Sequence, residues 1–121
     1  MRGLLWVGAA SLALVVLAVA CAGQSFVEQK RSFQAEVESQ LREIERGMES
    51  LRVRASTATG EARERLEDRV QKLDLLRDNV RGRLAMVPEA SSQVWDDLKS
   101  GIEGSLNDLK AAYQAAEEEF R

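Results

Sequence analysis

The residue types best suited to chemistry are sparse in this chain. There is one cysteine, Cys21, and no histidine, so a thiol or hydroxyl nucleophile has no imidazole base, and the usual Cys/His metal shells lack their main ligands. Adjacent carboxylates stand at Asp96-Asp97 and at Glu117-Glu118-Glu119. Without an EF-hand-like loop around them they offer only weak sites for hard cations. The balance of 17 Lys+Arg against 20 Asp+Glu, a formal net charge of -3, lacks the basic excess of a broad nucleic-acid surface. The expectation is therefore a non-enzymatic protein with no cofactor, no metal site and no nucleic-acid partner.

The elements that position these residues fall into two segments. All 20 acidic side chains follow Val27, and none of the residues from Gly3 to Val27 is charged. After Met1-Arg2-Gly3, with its single positive charge, Leu4 to Ala20 forms an apolar run rich in Leu, Ala and Val. This is the pattern of a secretion signal or a membrane anchor. As a helix it would rise about 25 Å, slightly less than the roughly 30 Å of a bilayer's hydrocarbon core, so length does not separate the two. The end of the run reads Leu17-Ala18-Val19-Ala20-Cys21, small residues followed by the only cysteine. Ordinary cleavage after Ala20, an uncleaved anchor and modification of the thiol are all compatible with it. A disulfide within the chain is not.

This segment resembles the lipobox of bacterial lipoproteins, although the family prefers Leu at the position of Ala18 and this chain has Leu17 one place earlier. The resemblance implies a diacylglyceryl group on Cys21, cleavage just before it and acylation of the new N-terminus. Residues 1–20 would then be a lipoprotein signal peptide, 21–24 an anchor linker and 25–121 a helical body. Two or three acyl chains, at about 0.8 kcal/mol per buried methylene, hold a protein on a membrane essentially permanently. Ala22 is not the aspartate that retains enterobacterial lipoproteins at the inner membrane, which points to an outer membrane and a body facing the periplasm.

The body reads as all-α. It has one proline and no alternating β-branched or aromatic run. Ser25-Phe26-Val27-Glu28 has capping-box spacing and predicts the start of a first helix. Its apolar stripe is Phe33, Val37, Leu41, Ile44, Met48, Leu51 and Ala55, at heptad steps. Ala55 to Gly60, rich in hydroxyl residues and ending in glycine, predicts a loop. A second stripe runs through Ala62, Leu66, Val70, Leu73, Leu76, Val80, Leu84 and Val87. Pro88 should end that helix near Val87, and Pro88 or Ser91/Ser92 should begin a third. The third stripe is Trp95, Leu98, Ile102, Leu106, Leu109, Tyr113, Ala116 and Phe120.

Three helices of similar length predict an antiparallel up-down-up three-helix bundle. The rival is a helical hairpin or coiled coil in which Pro88 only kinks one long helix, which then dimerises. Gly47, Gly82, Gly101 and Gly104 lie inside predicted helices, where each costs about 1 kcal/mol relative to Ala, and they suggest close packing, kinks or local softness. At Gly101 and Gly104 the alternatives are close approach to another helix or simple tolerance of glycine. The bundle should bring Glu117, Glu118 and Glu119 to the loop flanked by Arg52, Arg54, Arg63 and Arg65. Residues 25–87 carry 13 basic and 12 acidic side chains and residues 88–121 carry 3 and 8, which makes the third helix the acidic partner.

Asp97-Leu98-Lys99 and Asp108-Leu109-Lys110 are eleven residues apart, about three turns, and share a helix face. With Trp95-Asp96 before the first unit, this stretch resembles the C-terminal segment of small bacterial coiled-coil proteins described as stress-responsive. The resemblance covers roughly 25 residues and implies a fold more than a chemistry. Trp95 and Tyr113 fall on the apolar stripe and read as core. Lys30, Arg31, Arg77, Arg81 and Arg83 are expected at the anchored end, where each could contribute about 1 kcal/mol against anionic headgroups. The function expected is a lipid-anchored structural or interaction module of the cell envelope. Its partners would be the membrane, another protein on exposed helix faces, or a second copy of the chain. The alternative is a periplasmic chaperone-like or lipid-binding helical protein.

Overall fold

The computed structural model describes the backbone of residues 2–121 and the side chains of residues 25–121. It consists of three helices, α1 (Arg2–Thr57), α2 (Gly60–Leu84) and α3 (Ser92–Glu119), and the described residues contain no strand. The chain divides into two compact units, Met1–Ser32 and Phe33–Arg121. In the first, α1 runs through Ser25 without a break. The capping box therefore does not begin the helix, a correction to the sequence reading. Inside a continuous helix the N–H groups of residues 26 to 28 already have carbonyls one turn back, so a Ser/Glu cap has no orphan donor to satisfy.

The second unit is the three-helix bundle, and cross-helix contacts give its topology. Phe33 meets Trp95 edge to face with ring centroids 5.4 Å apart, and Arg54 Nη1 donates to the Phe120 carbonyl at 2.8 Å. These contacts, one near each end, make α1 and α3 parallel. Arg52 pairs with Asp74 and Arg81 with Glu45, so α2 runs antiparallel to α1. Arg69 pairs with Glu119 at 3.0 Å, which sets α3 antiparallel to α2. The order is up-down-up.

Heptad spacing explains why the helices pack. Val37, Leu41, Ile44, Met48, Leu51 and Ala55 are buried on α1, Leu66, Val70, Leu73, Val80 and Leu84 on α2, and Trp95, Ile102, Leu106, Leu109 and Ala116 on α3. Each large aliphatic side chain so buried stabilises the bundle by about 1.5–3 kcal/mol, which is what holds helices whose outer faces are mostly polar, with Val53 and Leu75 as exposed exceptions. Phe33, Leu76, Leu98, Tyr113 and Phe120 are half-buried at the edges of the stripes. Ser105 is buried as well, a polar position the apolar pattern does not flag.

The two connections differ from their expected extents. The first is only Ala58-Thr59. Ser56 and Thr57 remain helical and turn their hydroxyls back to the carbonyls of Val53 and Arg54 at 2.6 and 3.1 Å, and Ala55 is core. Gly60 opens α2 at φ 65, a left-handed conformation that glycine adopts without steric cost. The second connection begins at Ala85, three residues earlier than expected. Met86, Val87 and Ala90 donate to carbonyls three residues back, forming tight turns in which Val87 and Ala90 are buried. Pro88 thus separates two helices, and the kinked single helix does not form. The residue before proline is pushed out of the α region, and proline has no N–H to continue the ladder.

Candidate functional site

Cys21, the only thiol in the sequence, lies outside the residues whose side chains are described. The five basic residues expected to meet headgroups are distributed over both units. Lys30, in the first, holds its ammonium 4.8 Å from the Phe26 ring centroid, and Arg31 beside it is exposed. In the bundle, Arg77 is engaged by Asp78 at 3.1 Å and Asp74 at 3.5 Å, and Arg81 by Glu45 of α1. Arg83 donates to Asn79 Oδ1 at 3.2 Å and lays its guanidinium across Gly101, where Nη1 is 2.5 Å from the position a Cβ would take. Of Arg77, Arg81 and Arg83, two are therefore neutralised by carboxylates of the bundle itself.

The glycines separate in the same way. Gly47 of α1 receives the Tyr113 ring of α3: a Cβ there would fall 2.7 Å from Cε2 and closer still to Cζ and the hydroxyl. Around Gly82 and Gly104 there is open space instead. The close approach expected at Gly101 is present, and it involves an arginine side chain from α2.

The Tyr113 notch lies on an open groove of about 820 Å³ between α1 and α3, whose walls include Gln40, Glu43, Lys110, Glu117 and Arg121. Burial pushes the Tyr113 phenol above its ordinary range, and its hydrogen bond to Glu117 and that carboxylate's charge push it further, against an opposing pull from Arg54. Gln40 donates to Glu36 at 3.0 Å, while its Oε1 is buried without a hydrogen-bond partner. The groove presents donors and acceptors of both signs around a protonated phenol, a surface able to bind polar groups.

A second concavity, about 400 Å³, is apolar. Ala85, Met86, Ala90, Val94 and Leu98 line it, with Glu89 as the only charged residue. It sits at the α2–α3 turn, where Met86 is 60% and Val94 50% exposed. Sequence reading missed this feature because Met86 and Val94 are off-stripe neighbours of core residues, and only the turn brings them together.

The carboxylate clusters are dispersed. Asp96 and Asp97 are exposed on α3, Glu117 is paired with Arg121 at 3.3 Å and Glu119 with Arg69. Among the described residues, no group of three or more His, Cys, Asp or Glu side chains could hold a metal ion. Among the same residues, no helix is long and apolar enough to cross a membrane. No family model, no curated protein and no solved structure matches the chain.

Proposed function

We propose that this chain is a non-enzymatic, lipid-anchored protein of the bacterial cell envelope, held through acyl groups on Cys21, with its three-helix body serving as a structural or protein-interaction module. The observation that carries the reading is the placement of the only cysteine directly after Leu17-Ala18-Val19-Ala20, at the end of an uncharged apolar run. The body is consistent with the role: a three-helix bundle with an apolar core and mostly polar outer faces suits spacing and contact. Ala22 supports an outer-membrane address facing the periplasm, and the α3 repeat supports a stress-related setting.

Mass spectrometry of the membrane-extracted N-terminus tests this directly, because acylated, cleaved and intact forms differ in mass. The acylated form beginning at Cys21 is expected, and radiolabelled fatty acid should disappear from Cys21→Ala. Label that persists in that variant, or a chain retaining residues 1–20, would overturn the anchoring. A chaperone-like or lipid-binding role is the second reading, favoured by the exposed Met86 and Val94. It requires the body to bind a hydrophobic dye or unfolded clients, and binding of neither removes it.

A further inference from the structure

We infer that the α2–α3 turn is a membrane-docking tip, with Met86 and Val94 seated in the headgroup region of the bilayer that holds the anchor. This rests on the anchoring proposed above and adds an orientation to it. The Phe33–Trp95 contact puts the turn at the end of the bundle where the chain enters from the N-terminal segment, Phe33 being the first residue of the second unit. Only twelve positions separate Phe33 from Cys21 (33 − 21 = 12), a tether of at most about 40 Å even when fully extended. The opposite end, 24 positions further along α1 at Thr57 (57 − 33 = 24), is another 36 Å or so away at helical rise.

The two ends differ in what they expose, although Val53, 57% exposed, stands about one turn from the far end. At the far end Arg54, Arg69 and Arg121 engage the last turn of α3. At the near end the turn exposes Met86 and Val94 beside the apolar concavity. Charge indicates the mode of contact. Residues 81–99 carry three basic side chains (Arg81, Arg83, Lys99) and three acidic ones (Glu89, Asp96, Asp97), a sum of zero, and Arg81 is already occupied by Glu45. A neutral, apolar tip engages the interface through buried area and not through anionic lipid, in the manner of shallow monotopic insertion.

The test uses the full-length acylated chain in vesicles. Because acylation consumes the Cys21 thiol, Met86→Cys, Val94→Cys or Leu75→Cys supplies the only free thiol for an environment-sensitive fluorophore. Leu75, 72% exposed on the outer face of α2, is the reference. In phosphatidylcholine vesicles, labels at 86 and 94 are expected to shift to the blue and to be quenched by spin-labelled lipid at least twofold more than the label at 75. Adding phosphatidylglycerol should leave this unchanged. Water-like emission at 86 and 94 from protein that floats with the vesicles would overturn the docking and leave the anchoring intact. Protein that does not float overturns both. Equal quenching at all three sites means that the bundle lies on its side, and a blue shift without lipid quenching means that a second copy covers the tip. Either of these overturns end-on docking.

Discussion

The two ends of the bundle close three helices in opposite ways. Between α1 and α2 the chain reverses in two residues, with glycine supplying the left-handed backbone, and the same end draws Arg54 and Arg69 onto the C-terminus of α3. α3 has no basic residue in its own last turn, so Arg54 of α1 supplies the cation that its carbonyls and dipole favour. Between α2 and α3 the chain takes seven residues, buries Val87 and Ala90, and leaves Met86 and Val94 in the open. One end is closed by hydrogen bonds and charge, the other by backbone-bonded tight turns together with apolar contacts that continue past the core. Identical helices could be joined in either manner. The contrast arises from the connections, and it gives the bundle a polar and an apolar pole.

Mutations should reproduce this asymmetry. The largest effect is expected at the apolar pole: Trp95→Ala removes a 5%-exposed ring packed on Phe33 and should cost about 3–5 kcal/mol in chemical denaturation. A cost below 1 kcal/mol would mean that this end is not packed as described. Between the poles, Gly47→Ala drives a methyl group into the Tyr113 ring and should destabilise by about 1–3 kcal/mol. With Tyr113→Ala already present the same change should stabilise by up to about 1 kcal/mol through helix propensity, and a double-mutant cycle without that reversal of sign contradicts the notch. At the polar pole, Gly60→Ala meets no neighbouring atom within 4 Å. Its expected cost of about 1–2 kcal/mol comes only from the left-handed backbone.

The titration of Tyr113 sharpens the comparison further. It is the only tyrosine, so tyrosinate absorbance reads it alone. Its phenol should titrate above the ordinary value of 10.0 in the folded protein and return to that value in denaturant. Because the folded state binds this proton more tightly, the associated stability is complete below the unfolded pKa and is lost as pH rises through the folded one. An unfolding midpoint that falls on alkaline titration less steeply in Tyr113→Phe than in the parent would bear this out. The smallest effect should come from Arg69→Ala. Its ion pair with Glu119 is exposed, contributes about 0–1 kcal/mol and should weaken with added salt.

Much of the architecture was legible in the residues. The three stripes, with their edges, match the buried positions almost residue for residue, because a buried helix face must repeat every three to four positions whatever it packs against. Pro88 was legible as a boundary for an equally local reason. Ser25-Phe26-Val27-Glu28 was misread: a capping box has meaning only where a helix starts, and residues further back decide that. The expected site was less legible. The arginines at 77 and 81 look like free cations in sequence, yet carboxylates of their own and neighbouring helices occupy them.

By itself, then, the sequence determined that the body is helical, where its apolar faces run, that its chemistry is poor in nucleophiles and bases, and that its only thiol follows an uncharged apolar run. These follow from composition and from short-range periodicity, which the backbone enforces locally. The tertiary structure alone decided that Gly47 makes room for Tyr113 and Gly101 for Arg83, that Arg54 caps another helix, and that Met86 and Val94 meet at one pole. Each of these joins residues that share no turn of helix. Such contacts depend on the crossing and register of packed helices, and those are set by the whole core at once.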